Sequence, residues 1–199
     1  FLDDPTIIRP NLEVRMPTFN LSDKDLNSLI AAFQDIDNTD LIFESIHSVD
    51  KKSSKYKAGE KLASSDFGAC NNCHFYGLAV PKQSASTWAP NLAMSKDRLR
   101  YSWLVDWLRD PQKIMPGTKM PAPYIPDSLT LSLDNALQTW GGDVLALNAD
   151  RNKMLEGLRD YILTIDGEID IDNIIKEYFK ENGYDFDSQE EDEFEDEEW

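Results

Sequence analysis

The chain has 199 residues, with 37 acidic against 20 basic side chains and a formal net charge of −17. That balance excludes a nucleic-acid binder, whose phosphate contacts need clustered Lys and Arg, and favours partners that present cationic patches. No apolar run approaches the roughly 20 residues of a membrane-spanning helix, and two cysteines are too few for a disulfide framework.

The length suits one domain with extensions, or parts of two. Residues 1–20 are Pro-rich and extended. Ser22 is a helix N-cap candidate, followed by Asp23, Asp25 and an apolar periodicity through Phe33. Residues 34–54 read as a polar linker. Residues 56–66 suit the first helix of a domain, and 75–95, with Gly77, Pro81 and Pro90, suit a loop. From Asp97 to Arg109, Leu99, Trp103 and Trp107 form one helical stripe, with Leu104 and Leu108 beside it. Five prolines within 111–127 predict a stiff segment without helix. Residues 128–148 are ambiguous, broken by Gly141-Gly142. Residues 150–164 read as an amphipathic helix and 171–180 as one more short helix. The end, 185–199, holds ten acidic residues and no basic one, a composition that predicts disorder. The fold class is all-α.

The chemistry concentrates in Cys70-Asn71-Asn72-Cys73-His74, which contains both cysteines and one of the two histidines. Cys-x-x-Cys-His is the attachment pattern of a c-type haem. Two thiols three residues apart share one helical turn, so each can add to one vinyl group of a porphyrin, and His74 then lies under the iron. A zinc site would need about four ligands; it would have to recruit His47 and bind the adjacent Cys73 and His74 together. A thioredoxin-like pair would follow a strand of a βαβ unit, whereas an Ala- and Ser-rich helical stretch precedes this one. Covalent haem attachment takes place outside the cytoplasm, so the expected location is periplasmic, on the outer side of an energy-transducing membrane. The chain opens Phe1-Leu2-Asp3 with neither initiator Met nor signal peptide. The expectation is a processed or excised piece, its export signal and any membrane anchor upstream.

Met120, in Pro116-Gly117-Thr118-Lys119-Met120-Pro121, is the candidate distal ligand: a soft thioether on a rigid loop raises the reduction potential. Met115 and Met94 are weaker competitors, and any of these can instead be a core gap-filler. A ligating His needs an acceptor for its other ring nitrogen; the Pro90 carbonyl is the candidate, with Pro81 as alternative. Tyr101, Trp103, Trp107 and Arg98 are candidates to line the pocket or bond propionates, although aromatics at this spacing are commonly core. His47 stands alone in the linker.

An internal echo bears on organisation. Leu2, Asp4, Pro5, Ile8, Pro10, Met16 and Pro17 pair in order with Leu108, Asp110, Pro111, Ile114, Pro116, Met120 and Pro121, and each block leads into an apolar helix. The expected division is therefore 1–33 as the back part of a preceding domain of the same kind, 34–54 as linker, 55–165 as a complete domain and 166–199 as an acidic extension. Met16 would serve the haem whose motif is missing upstream.

These residues resemble class I cytochrome c domains over about 56–165: Ala-Gly-Glu-Lys-Leu in the first helix, Cys70–His74, Ala-Pro-Asn-Leu at 89–92, Trp-Leu-x-x-Pro, Pro-Gly-Thr-Lys-Met-Pro at 116–121, and a closing helix with Leu158, Tyr161 and Ile162. The resemblance implies a cytochrome c fold, haem c held by Cys70 and Cys73, His74/Met120 axial ligation, and electron transfer. Two features depart from the pattern. Ala89 stands where Gly is usual, and the stretch from Pro126 to about Asn148 is longer than expected. The expected role is a one-electron carrier module, not itself an enzyme, of a di- or multi-haem cytochrome. Its partners would be redox proteins with basic surface patches, an upstream haem domain, or respiratory complex subunits. The rival expectations are a haem sensor or catalytic domain with a labile distal ligand, and a docking subunit of a larger redox complex.

Overall fold

The computed structural model describes residues 17–37 and 48–183. The expectations placed on Met16, His47 and the acidic run 185–199 lie outside the described residues. Among those described, ten α-helices and no strand occur: α1 (Asp23–Asp37), α2 (Ser54–Ala63), α3 (Ser95–Arg98), α4 (Tyr101–Arg109), α5 (Pro111–Ile114), α6 (Ser128–Leu131), α7 (Ala136–Trp140), α8 (Gly142–Leu145), α9 (Arg151–Ile162) and α10 (Asp172–Glu181). The described residues are thus all-α, and no described helix is long and apolar enough to cross a membrane.

The centre of the fold is the crossing of α2 and α9. Ala58, Leu62 and Ala63 of α2 meet Met154, Leu155, Leu158 and Ile162 of α9, all buried. The backbones touch because both helices carry glycine at the crossing. A Cβ on Gly59 would fall on the carbonyl of Gly157, and one on Gly157 would fall on the carbonyl of Lys55. An isolated glycine in a helix costs about 1 kcal/mol relative to alanine; here the close approach accounts for it. Leu104 and Leu108 of α4 complete the core from one side.

The structure corrects the segmentation at several points. The stretch from Asp97 to Arg109 is two helices, with Leu99 extended between them. The Pro-rich segment begins with a helical turn. Asp110 caps it by accepting from Lys113 N, and Pro111 sits at the first helical position, where a missing N–H costs nothing. The ambiguous stretch 128–148 forms α6, α7 and α8 and enters the core through Ala136, Trp140, Val144 and Leu147. Trp140 stacks on Phe67 with ring centroids 4.2 Å apart. α1 runs on to Asp37, into the expected linker. Phe19, Ile30, Phe33 and Ile36, on or just before α1, are exposed.

Asp127 and Asp150 cap α6 and α9 by accepting from Thr130 N and Lys153 N. These backbone donors hold both carboxyls below the usual carboxylate range. A lowered folded value means the stabilisation is present at neutral pH and is lost as pH falls through the ordinary carboxylate range and then the folded value. Asn keeps the cap but not the charge. The Asp127→Asn/Asp150→Asn double variant should therefore show a shallower acid limb in urea denaturation between pH 7 and 3; an unchanged limb would refute the assignment.

Candidate cofactor site

Cys70–Asn72 form a single 3-10 turn, entered through Ala69 in the left-handed region at φ 46°. Asn72 N bonds Ala69 O at 2.8 Å and His74 N bonds Cys70 O at 2.9 Å, so one tight turn carries both thiols and the imidazole. Neither cysteine is in a disulfide, and both are partly buried. Cys70 rests against the main core, and its thiol shares a hydrogen bond with the Tyr76 hydroxyl. Cys73 Sγ donates to Gln83 Oε1 at 3.6 Å.

Burial pushes the Cys70 thiol up, although the hydrogen bond to Tyr76 works against it. The Tyr76 hydroxyl is raised too, by burial first and by Cys70 second. Both groups are neutral at pH 7. A nucleophilic or disulfide-exchanging cysteine needs the opposite shift.

His74 Nδ1 lies 2.8 Å from the carbonyl oxygen of Pro90. A carbonyl can only accept, so Nδ1 carries the proton and the ring lone pair belongs to Nε2. The two segments are held together on either side of this bond: Ala89 N donates to Cys73 O at 2.8 Å, and Leu92 N donates to Phe75 O at 2.9 Å. Pro81 is buried but is not the partner of that nitrogen.

The Met120 loop is built separately. Gln112 bridges it, receiving Gly117 N on Oε1 and donating to Thr118 O. Thr118 Oγ1 accepts from Met120 N at 3.3 Å. Trp107 Nε1 donates to Met120 Sδ at 2.9 Å, and Trp103 stacks on Trp107 at 5.2 Å. Met120 is half-buried on the same core that carries Cys70, Tyr76, Trp103 and Trp107, whereas Met115 is exposed and Met94 is buried. Lys119 Nζ reaches Ser86 O at 3.3 Å, which joins this loop to the segment before Pro90.

Tyr101 is engaged elsewhere. Its hydroxyl donates to Asp160 Oδ1 at 3.0 Å, and its ring lies under the Arg159 guanidinium at 3.4 Å. Burial first, and Asp160 second, raise its pKa. Arg98 ends α3 in an exposed position. Among the described residues, no group of three or more His, Cys, Asp and Glu side chains is arranged to hold a metal ion.

No family model, curated protein or solved structure matches this chain.

Two residues without a role in the motif reading prove central. Asn91 is 2 % exposed and makes four hydrogen bonds: it accepts from Gly77 N and Ala93 N, and donates to Gly77 O and Glu168 O. Trp88 is buried, with its Nε1 donating to Gln83 O at 3.0 Å. Asn91 stands in the Ala-Pro-Asn-Leu run, but its bonds to Gly77 and Glu168, and the packing of Trp88 on Ile171 and Ile175, join positions far apart in the chain. Chemically, the ensemble offers two unbridged, partly buried thiols, a tautomerically fixed imidazole and a thioether, all soft or borderline donors set against an apolar core.

Proposed function

We propose that this domain is a one-electron carrier in which Cys70 and Cys73 hold a haem c through thioethers, and His74 and Met120 supply its axial ligands in a cytochrome c fold. The observation that carries the reading is the bond between His74 Nδ1 and Pro90 O, next to two unbridged thiols. It fixes the tautomer with the proton on Nδ1 and the lone pair on Nε2, as a ligating imidazole requires. The residues fit the group: the donor set is soft, and the neighbouring surface is apolar. Such a group supplies a ferric/ferrous couple.

The chain's own contribution is to fix and desolvate. The 3-10 turn holds both sulfurs and the ring in one rigid unit. Pro90 makes His74 a stronger donor by accepting its proton partly. Trp107 donates to the Met120 sulfur, which orients the thioether and draws electron density from it; the sulfur's second lone pair would serve the iron. The core beneath lowers the local dielectric. An acidic chain steers cationic redox partners, and association falls as salt rises.

The same reading extends to organisation. α1 aligns without a gap on the closing helix: Lys24, Leu26, Leu29, Ile36 and Asp37 match Lys153, Leu155, Leu158, Ile165 and Asp166, and Ser28 stands at Gly157. Leu26 follows Met16 by 10 residues, whereas Leu155 follows Met120 by 35, and the segment bearing α6–α8 accounts for the excess. This correspondence supports α1 as the closing helix of a preceding repeat.

The test is to mature the chain in a host that attaches haem covalently, denature it and wash it with acid acetone. Pigment should stay with the protein and be lost in Cys70→Ser/Cys73→Ser. The ferric spectrum should show a thioether-to-iron band that Met120→Ala removes. Pigment that washes out would overturn the proposal; immediate binding of carbon monoxide by the native ferrous protein would favour an open distal site.

A further inference from the structure

The segment after α9 is woven into the loop that carries His74. Gly167 packs on Gly77 so closely that a Cβ on Gly167 would lie 2.9 Å from Gly77 Cα. Asn91, the residue after Pro90, donates to Glu168 O at 3.0 Å. Beyond that point Ile171 and Ile175 join Phe75 and Trp88 in a second buried cluster, with Tyr178 and Phe179 packed against it. Trp88 meets Phe75 edge-on at 5.0 Å and Tyr178 at 4.7 Å. Phe75 follows His74 in the chain, and Trp88 lies two residues before Pro90. The cluster therefore grips both chain segments whose separation sets the bond between His74 Nδ1 and Pro90 O. Trp88 also reaches the thiol side, through Gln83 to Cys73.

We propose that residues 166–181 act as a strap, with α10 clamping Phe75 and Trp88 and thereby positioning His74 against Pro90. Trp88, Ile171 and Ile175 are then positioning residues that act on the imidazole through Phe75 and the Pro90 segment. The inference rests on the proposed ligand role of His74. Releasing the strap lengthens the Nδ1–H···O bond, makes the imidazole a weaker donor and so stabilises ferrous over ferric iron.

The test uses the full chain with its haem, comparing Ile171→Ala/Ile175→Ala with Val144→Ala. Val144 is buried in the main core on α8 and lies outside the α10 cluster. In the double variant the Ala89 and Leu92 amides, which bond Cys73 O and Phe75 O, should exchange at least about tenfold faster, while Leu158 is unchanged. The midpoint potential should rise in the double variant and stay put in Val144→Ala. Equal acceleration at Ala89, Leu92 and Leu158, or an unchanged potential with α10 released, would overturn the strap. Pigment retention on denaturation reports separately on the haem reading: a chain without covalent haem fails that reading, and the exchange comparison alone then decides the strap.

Discussion

Gly157→Ala is expected to cost roughly 3 kcal/mol or more and to leave the protein largely unfolded at 37 °C. The new methyl would fall on the Lys55 carbonyl, and backbone cannot rotate aside as a side chain can. Relief requires α2 and α9 to separate, which opens the contact among Ala58, Leu62, Leu155 and Leu158 along its whole length. Helix propensity works the other way, since Ala is the better helix former by about 1 kcal/mol. A net loss therefore isolates the steric effect. Urea denaturation followed by far-ultraviolet circular dichroism measures it, and a variant as stable as wild type would show that the helices do not cross this tightly. Gly142→Ala is the control, because a Cβ there meets only the tip of Leu137.

How far the sequence reveals the site depends on how local each piece is. Cys70, Cys73 and His74 are legible because their chemistry is set by spacing within one turn. The amphipathic character of α9 and α10 is legible because it is periodic. What α10 packs on is not. Ile171 and Ile175 predict an apolar face, yet nothing along the chain names Phe75 and Trp88, about 90 residues earlier, as its partners. Residues 166–199 read as an extension by charge and by position after the last core helix; the packing of Glu168 to Phe179 on the His74 loop is a tertiary fact.

The helix boundaries follow the same logic. The prolines of 111–127 suggested no helix, but Pro111 at a first helical position is compatible with one turn, and Asp110 caps it. Gly141-Gly142 made 128–148 unreadable because it separates two helical turns that are each too short to show a period. Gly59 and Gly157 lie inside helical patterns, where a glycine alone does not say what it packs on. Their pairing with each other requires the crossing.

Asp160→Ala is expected to cost about 3–5 kcal/mol, because it strips the counter-charge from a buried guanidinium. Asp160 and Arg159 are 4 % and 6 % exposed. Asp160 receives Arg159 Nε at 2.9 Å, the Tyr101 hydroxyl at 3.0 Å and Lys55 Nζ at 2.9 Å. Burial pulls the Lys55 pKa down, but Asp160 and Glu156 more than offset it and leave it raised. One carboxylate thus joins three helices: Lys55 on α2, Tyr101 on α4, and its own α9. Asn can keep the Tyr101 bond but not the ion pairs, so Asp160→Asn should lose less than Asp160→Ala, and both losses should persist in high salt because the pair with Arg159 is shielded from solvent. The consequence for function runs through α4. Tyr101 and Trp107 stand on that one helix, so loosening its start shifts the indole that donates to Met120 Sδ. With Met120 as the proposed iron ligand, Asp160→Ala in the haem-loaded protein should weaken the thioether-to-iron band as well as lower the urea midpoint. A variant that loses less than 1 kcal/mol, or keeps the band at full strength while α4 is destabilised, would refute this coupling.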